Sequence, residues 1–304
     1  MIFGFFYIKF LIMWAILKLL NKYFLKSFVG IICLLGLPLF FGILYFIIGS
    51  KQFIASLPII ATIGIMSTTL MIIPNLIIEL RKSLILKRIG VAKITSFGFL
   101  FSIFIYFFIC SIICIVYSFL IFTLFSLSIG IEEAWKNHQI LNSIYACLIL
   151  SLISIFISIL IGVYFKTSMV ASAVSFILIF ISLFTSGLIS PFSTIRQVFG
   201  LVFIGYIVPF DWPILMLEQS WGIGSYLSQN IDGLEVPIYY FVSDNIWEIL
   251  KPFKLYALPY YGGLKIIEVE AVSSFNKIWN IFAPYFTMGI SIGLSFYKFS
   301  WVER

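Results

Sequence analysis

Long runs without a charged residue divide this chain, and they occupy 27–50, 52–78, 94–131, 137–165, 167–195 and 278–297. Each reaches the roughly 20 residues that a helix, rising 1.5 Å per residue, needs to cross a hydrocarbon core. The pattern predicts six membrane-spanning helices. A further uncharged run, 197–210, holds only 14 residues. It is too short to span and reads as part of a re-entrant or interfacial segment placed at 194–210. Residues 1–26 are a separate case. If helical, they set Lys18, Asn21, Lys22 and Lys26 on one arc, with Phe, Leu and Ile over the rest. That suits a helix lying on the inner membrane surface with its cations at anionic headgroups. An ordinary positive anchor for the first span explains the same residues. A cleavable signal is not expected, because no basic region precedes the apolar stretch and no small-residue cleavage site follows it.

Composition agrees with the run lengths. Hydrophobic residues make up 62% of 304, charged residues 10%, and the mean hydropathy is +1.16. Soluble chains carry about a quarter charged residues, so the expected class is an all-α integral membrane protein embedded in a lipid bilayer. Lys and Arg placement sets its orientation. With the N-terminus in the cytoplasm, Lys9, Lys18, Lys22, Lys26, Arg81, Lys82, Lys87, Arg88, Lys93, Lys166, Lys298 and Arg304 fall inside. The short outer links then hold only Lys51 and Lys136. Both termini are expected in the cytoplasm, and the expected location is the plasma membrane.

The outer side differs in character. Residues 211–276 carry eight acids against three lysines, with twelve aromatics. A disordered linker is poor in aromatics, so a small ordered extracytoplasmic domain is expected. Leu234–Val242 and Leu264–Val272 are its candidate strands. An acidic, aromatic surface there could receive a cationic or amphiphilic substrate, or it could simply cap the outer helix ends. The domain plan is then an interfacial helix at 1–26 and a membrane unit at 27–210. The outer domain follows at 211–276, and the last span with its cytoplasmic tail at 277–304.

Several chemistries lack their residues. No Gly-x-x-x-x-Gly-Lys run is present to cradle a nucleotide phosphate. A single histidine, His138, cannot build a zinc site. The four cysteines, Cys33, Cys110, Cys114 and Cys147, all fall inside predicted spans and read as small packing residues. No paired carboxylates fall within the spans, which argues against a proton-driven antiporter or an intramembrane protease. No catalytic residue, metal ligand or nucleic-acid partner is expected.

Two polar stripes do lie in the spans. Thr68, Asn75 and Glu79 repeat at i, i+7 and i+11, and Pro74 permits a bend beside them. Ser175, Ser182 and Ser186 repeat the same spacing with Thr185 adjacent. Such stripes seek another helix or water. Between the second and third spans lies a basic turn, 79–93, with five positive charges and one negative. Topology alone accounts for its charge, and a docking role on a soluble partner is the alternative.

The layout resembles the permease subunit of type-2 ABC exporters. Members carry a Glu-Arg-Glu-x-Gly-Thr-Leu-like run after the second span; here it stands as Glu79-Leu-Arg81-Lys82-Ser83-Leu84-Ile85-Leu86-Lys87-Arg88-Ile89. Thr185-Ser-Gly-Leu-Ile-Ser-Pro191 and Ile204-Gly-Tyr-Ile-Val-Pro209 are similar to the family's Ser-Gly-x-x-x-Pro stretch and re-entrant hairpin. The surface helix at the N-terminus is a third shared feature. Arg81 stands where the family has an acid, and the segment before the last span exceeds the family's usual loop. The resemblance implies a coupling helix at 79–93, with Glu79, Arg81, Lys82, Leu84, Lys87 and Arg88 meeting a separate ABC ATPase. It implies a substrate path between two permease copies, alike or related, lined by Thr68, Asn75, Ser182, Thr185 and Ser186. ATP and Mg would sit on the partner, and this chain would bind no cofactor and catalyse nothing itself. A non-transporting scaffold whose outer domain binds a partner is the competing reading, and an integral-membrane enzyme is a third.

Overall fold

The computed structural model describes residues 2–48, 56–82, 95–128, 135, 139–186, 188, 204, 208–220 and 274–299, with short strands at 229–231, 234–236, 255–256 and 268–269. The architecture is a helical bundle. Its helices are α1 (Ile2–Lys26), α2 (Phe28–Ile48), α3 (Leu57–Lys82), α4 (Ser96–Ser126), α5 (Ile140–Tyr164), α6 (Ser168–Thr185), α7 (Asp211–Ser220) and α8 (Ser274–Lys298). Among the described residues, the five helices α2 to α6 are long and apolar enough to cross a membrane. The sixth predicted crossing coincides with α8, which has the length at 25 residues, holds Pro284 inside, and is less apolar than the other five.

The strands form two small antiparallel pairs. β1 (Gln229–Ile231) pairs with β2 (Leu234–Val236), and β3 (Leu255–Tyr256) pairs with β4 (Glu268–Val269). Parts of the expected strands Leu234–Val242 and Leu264–Val272 are therefore extended, over much shorter lengths than expected. Most of the expected 194–210 segment lies outside the described residues, as does most of 221–273.

One helix is the hub. In the most apolar window of α3, 94% of residues are buried, against 22% for α2. Small and hydroxyl side chains make that possible. Ala61, Thr62, Gly64, Ser67, Thr68 and Thr69 let α2, α4, α5 and α6 approach it closely. A Cβ on Gly64 would sit 2.5 Å from Cys114 Sγ and 2.8 Å from Pro38 Cγ. At the other end, a Cβ on Gly162 of α5 would sit 2.9 Å from the Pro74 backbone.

Prolines explain two irregularities. Pro38 and Pro74 lack an N–H and crowd the carbonyl four residues earlier. Each follows a π-helical turn, Ile32–Gly36 in α2 and Ser67–Met71 in α3, where the widened backbone absorbs the mismatch. The two turns face each other, and Ser67 Oγ donates to the Cys33 carbonyl at 3.2 Å. In an apolar bundle a carbonyl released by a π turn needs such a donor.

α1 joins the bundle along one stripe. Ile16, Leu20 and Phe24 recur at helical spacing and are buried, while Trp14, Lys18, Lys22 and Lys26 stay exposed. Phe24 packs edge-on against Tyr106 and Phe107 of α4, and the Tyr106 hydroxyl donates to Asn21 Oδ1 at 3.1 Å.

Candidate functional site

Three places gather the polar residues of the bundle. The first is the seam between α3 and α6. Asn75 Nδ2 donates to the Met71 carbonyl at 2.7 Å and lies 2.8 Å from Ser172 Oγ, so its amide bridges the kinked helix to α6. Thr68 is fully buried, with its side chain against the Cys114 thiol of α4. Ser182 is buried and donates to the Leu178 carbonyl, a local bond within α6. Ser186 and Ser175 are buried, and their hydroxyls have no partner among the described residues. Thr68, Ser182 and Ser186 thus present no surface to a second chain in this conformation, and only Asn75 is half-exposed.

The second place is the Lys82 end of α3. Glu79 and Lys82 are exposed on the last turn, while Leu80 between them is buried. The basic turn therefore begins as helix and continues the hub directly. Arg81 does something the sequence did not foretell. Its Nη1 donates to the Val163 carbonyl at 3.0 Å and to the Gly162 carbonyl at 3.4 Å. These belong to the last turn of α5, whose terminal carbonyls have no acceptor role inside the helix. A guanidinium there meets both the unpaired carbonyls and the negative end of the helix dipole. Lys298 adds a cation–π contact with Tyr164, its ammonium 5.7 Å from the ring centre. Leu84, Lys87 and Arg88 lie outside the described residues.

The third place was misread from sequence. Asp211 and Glu218 count among the eight acids of the outer segment, and acids there were expected to face water. Both are instead buried, at 6% and 9% exposure, on α7. α7 packs against α5, with further contacts to α3 and α8. Phe210, Ile214 and Leu217 fill the core around it. Ser220 closes the helix onto α5, since its carbonyl accepts from the Gln139 N–H at 2.8 Å and its hydroxyl meets Ser143 Oγ at 2.6 Å. Asp211 reaches α6, where Thr185 Oγ1 lies 2.9 Å from its Oδ1. Burial pushes the Asp211 carboxyl up to about 8 against the smaller, opposing effect of the Thr185 bond. Burial also pushes Glu218 well up, and the Asp211 charge adds to it. The readable signal was the spacing of Phe210, Ile214 and Leu217, which puts an apolar stripe through a charged segment.

The four thiols are free and buried, and no described group of His, Cys, Asp and Glu could hold a metal ion. No family model, no curated protein and no solved structure matches the chain. The functional reading therefore rests on the geometry and on the motif resemblance.

Proposed function

We propose that this chain is the membrane-spanning subunit of an ATP-driven exporter of the type-2 ABC class, working as a pair of permease copies with separate ATPase subunits. It would move an amphiphilic, lipid-linked, peptide or drug-like substrate outward across the plasma membrane. α8 is the sixth crossing in this reading, and the Lys and Arg distribution sets both termini in the cytoplasm.

The observation that carries the proposal is the build of α3. Its body is the most buried of the five apolar helices, yet Glu79 and Lys82 on its last turn are exposed where it runs into the basic turn. A partner pressing on that end acts on the hub of the bundle rather than on a peripheral helix. Asn75 carries the same helix's position to α6 through Ser172, and Arg81 carries it to α5. Such a link drives a change only if the partner's contacts differ between two states. The buried Thr68 and Ser182 fit the closed state of the cycle, with α3 and α6 separating in the open one.

The test is charge reversal at Lys82, Lys87 and Arg88 to Glu, leaving Arg81 intact because it holds α5. The expected result is loss of ATPase co-purification with unchanged membrane insertion. Undiminished recovery of an ATPase with the triple variant would sink the docking assignment.

A further inference from the structure

The contact between α7 and α6 has one proton too few. Thr185 Oγ1 lies 2.9 Å from the Ile181 carbonyl and 2.9 Å from Asp211 Oδ1, and a hydroxyl carries a single hydrogen. Helical threonines characteristically give it to the carbonyl four residues back. Both contacts are full hydrogen bonds only when the carboxyl supplies the second proton. Ser186, the next residue, keeps a buried hydroxyl without a partner among the described residues.

The surroundings hold no described cation to neutralise a carboxylate. Among the described residues, the titratable groups near α7 are few. On α7 itself there is Glu218, on the same face two turns away. α5 contributes Cys147, buried in the same cluster, and Tyr145, which shares a 3.0 Å hydrogen bond with Tyr285 of α8. The packed half of α3, Leu57–Met66, and the whole of α6 contain none. Lys277 of α8 has no described side chain, and Tyr297 and Lys298 stand at that helix's far end, exposed.

We propose that Asp211 binds a proton and, as the neutral acid, latches α7 to the end of α6 through Thr185, with Glu218 as a second proton-binding group on the same helix face. The raised Asp211 value agrees with this geometry. The positive end of the α7 dipole favours the carboxylate by less than burial disfavours it. Lifting α7 away lets the acid ionise in water, so opening releases a proton. The latch holds at low pH and loosens as pH rises. This property does not depend on an ATPase partner.

Linkage fixes the size of the effect. Between the ordinary value of 3.8 and about 8, exposing Asp211 becomes roughly tenfold easier per pH unit, and exposing Glu218 with it adds in the same direction. The experiment is hydrogen exchange of residues 211–220 in the full chain in lipid vesicles, from pH 5 to 8, corrected for intrinsic exchange. Wild-type protection is expected to fall by at least tenfold per unit. Asp211→Asn is expected to remove one factor of ten per unit, and Asp211→Asn with Glu218→Gln to flatten the dependence. Thr185→Ser should behave as wild type, while Thr185→Val should lower protection at pH 5. Infrared spectra of the wild type give a reading that needs no variant: a protonated carboxyl band at pH 7 that weakens as the pH rises through about 8, where Asp211 gives up its proton. Wild-type protection that does not change with pH, an unaltered slope in the double variant, or no protonated carboxyl at pH 7 would each overturn the latch.

Discussion

Replacing Arg81 tests the clasp between α3 and α5. In Arg81→Gln the 3.0 Å bond to the Val163 carbonyl is lost, along with the longer 3.4 Å contact to Gly162. The Ile161 carbonyl does not depend on this residue, because the Phe165 N–H already donates to it. One good hydrogen bond from a charged donor is worth roughly 1.5–3 kcal/mol, and the low end applies because the side chain is half-exposed. A cation at a helix C-terminus adds roughly 0.3–1 kcal/mol. The longer contact is too stretched to count in full. The expected cost is therefore about 2 kcal/mol. Arg81→Lys keeps the charge without the planar fork and should cost about half of that. Reversible unfolding in mixed micelles, with helix content as the signal, measures both. If Arg81→Gln and Arg81→Ala both fall within about 0.5 kcal/mol of wild type, the carbonyls of α5 are satisfied some other way and the clasp is wrong.

Two further substitutions follow from packing and charge. Gly162→Ala puts a methyl 2.9 Å from the Pro74 backbone, which cannot swing away, so it should cost about 1–3 kcal/mol; Gly289→Ala, with nothing within 4 Å, should be neutral or slightly stabilising in the same unfolding assay. Asp211 gives a pH dependence whose sign is set by its raised value. Its native form holds a proton that the unfolded chain gives up, so its contribution to stability is greatest below pH 3.8 and declines until about 8, by roughly 1.4 kcal/mol per unit. Asp211→Asn should remove that slope, and a thermal-shift series across pH with the same slope in both proteins would refute it.

Run lengths of uncharged residues located the helices well, because burial of backbone in lipid leaves the chain little freedom about where a crossing can lie. The interval 52–78 became Leu57–Lys82, and the four extra residues matter, since they turn the start of the basic link into the last turn of α3. Which helix sits at the centre was less legible. All spans are apolar, and apolarity does not track burial, since α5 is as apolar as α4 but more buried, while the largely unburied α6 is less apolar than either; the marks of the hub are Gly64 and the hydroxyls from Thr62 to Thr69. Arg81 shows why a motif comparison by position misleads. Its place there has a reason inside this chain, in two carbonyls that no local pattern reveals. α7 was missed because charge counting assigns every acid to water. Asp211 and Glu218 escape that rule by being carried into the bundle on the Phe210, Ile214 and Leu217 stripe.

The central claim is that the basic link continuing α3 touches an ATPase, and a photo-crosslinker placed at Leu84 tests it without disturbing any charge or the Arg81 clasp. Irradiation in native membranes followed by identification of the captured species gives the answer. The account predicts a covalent adduct with a nucleotide-binding ATPase chain, its yield changing when ATP is added. Adducts with lipid alone, or with a protein that binds no nucleotide, would contradict it.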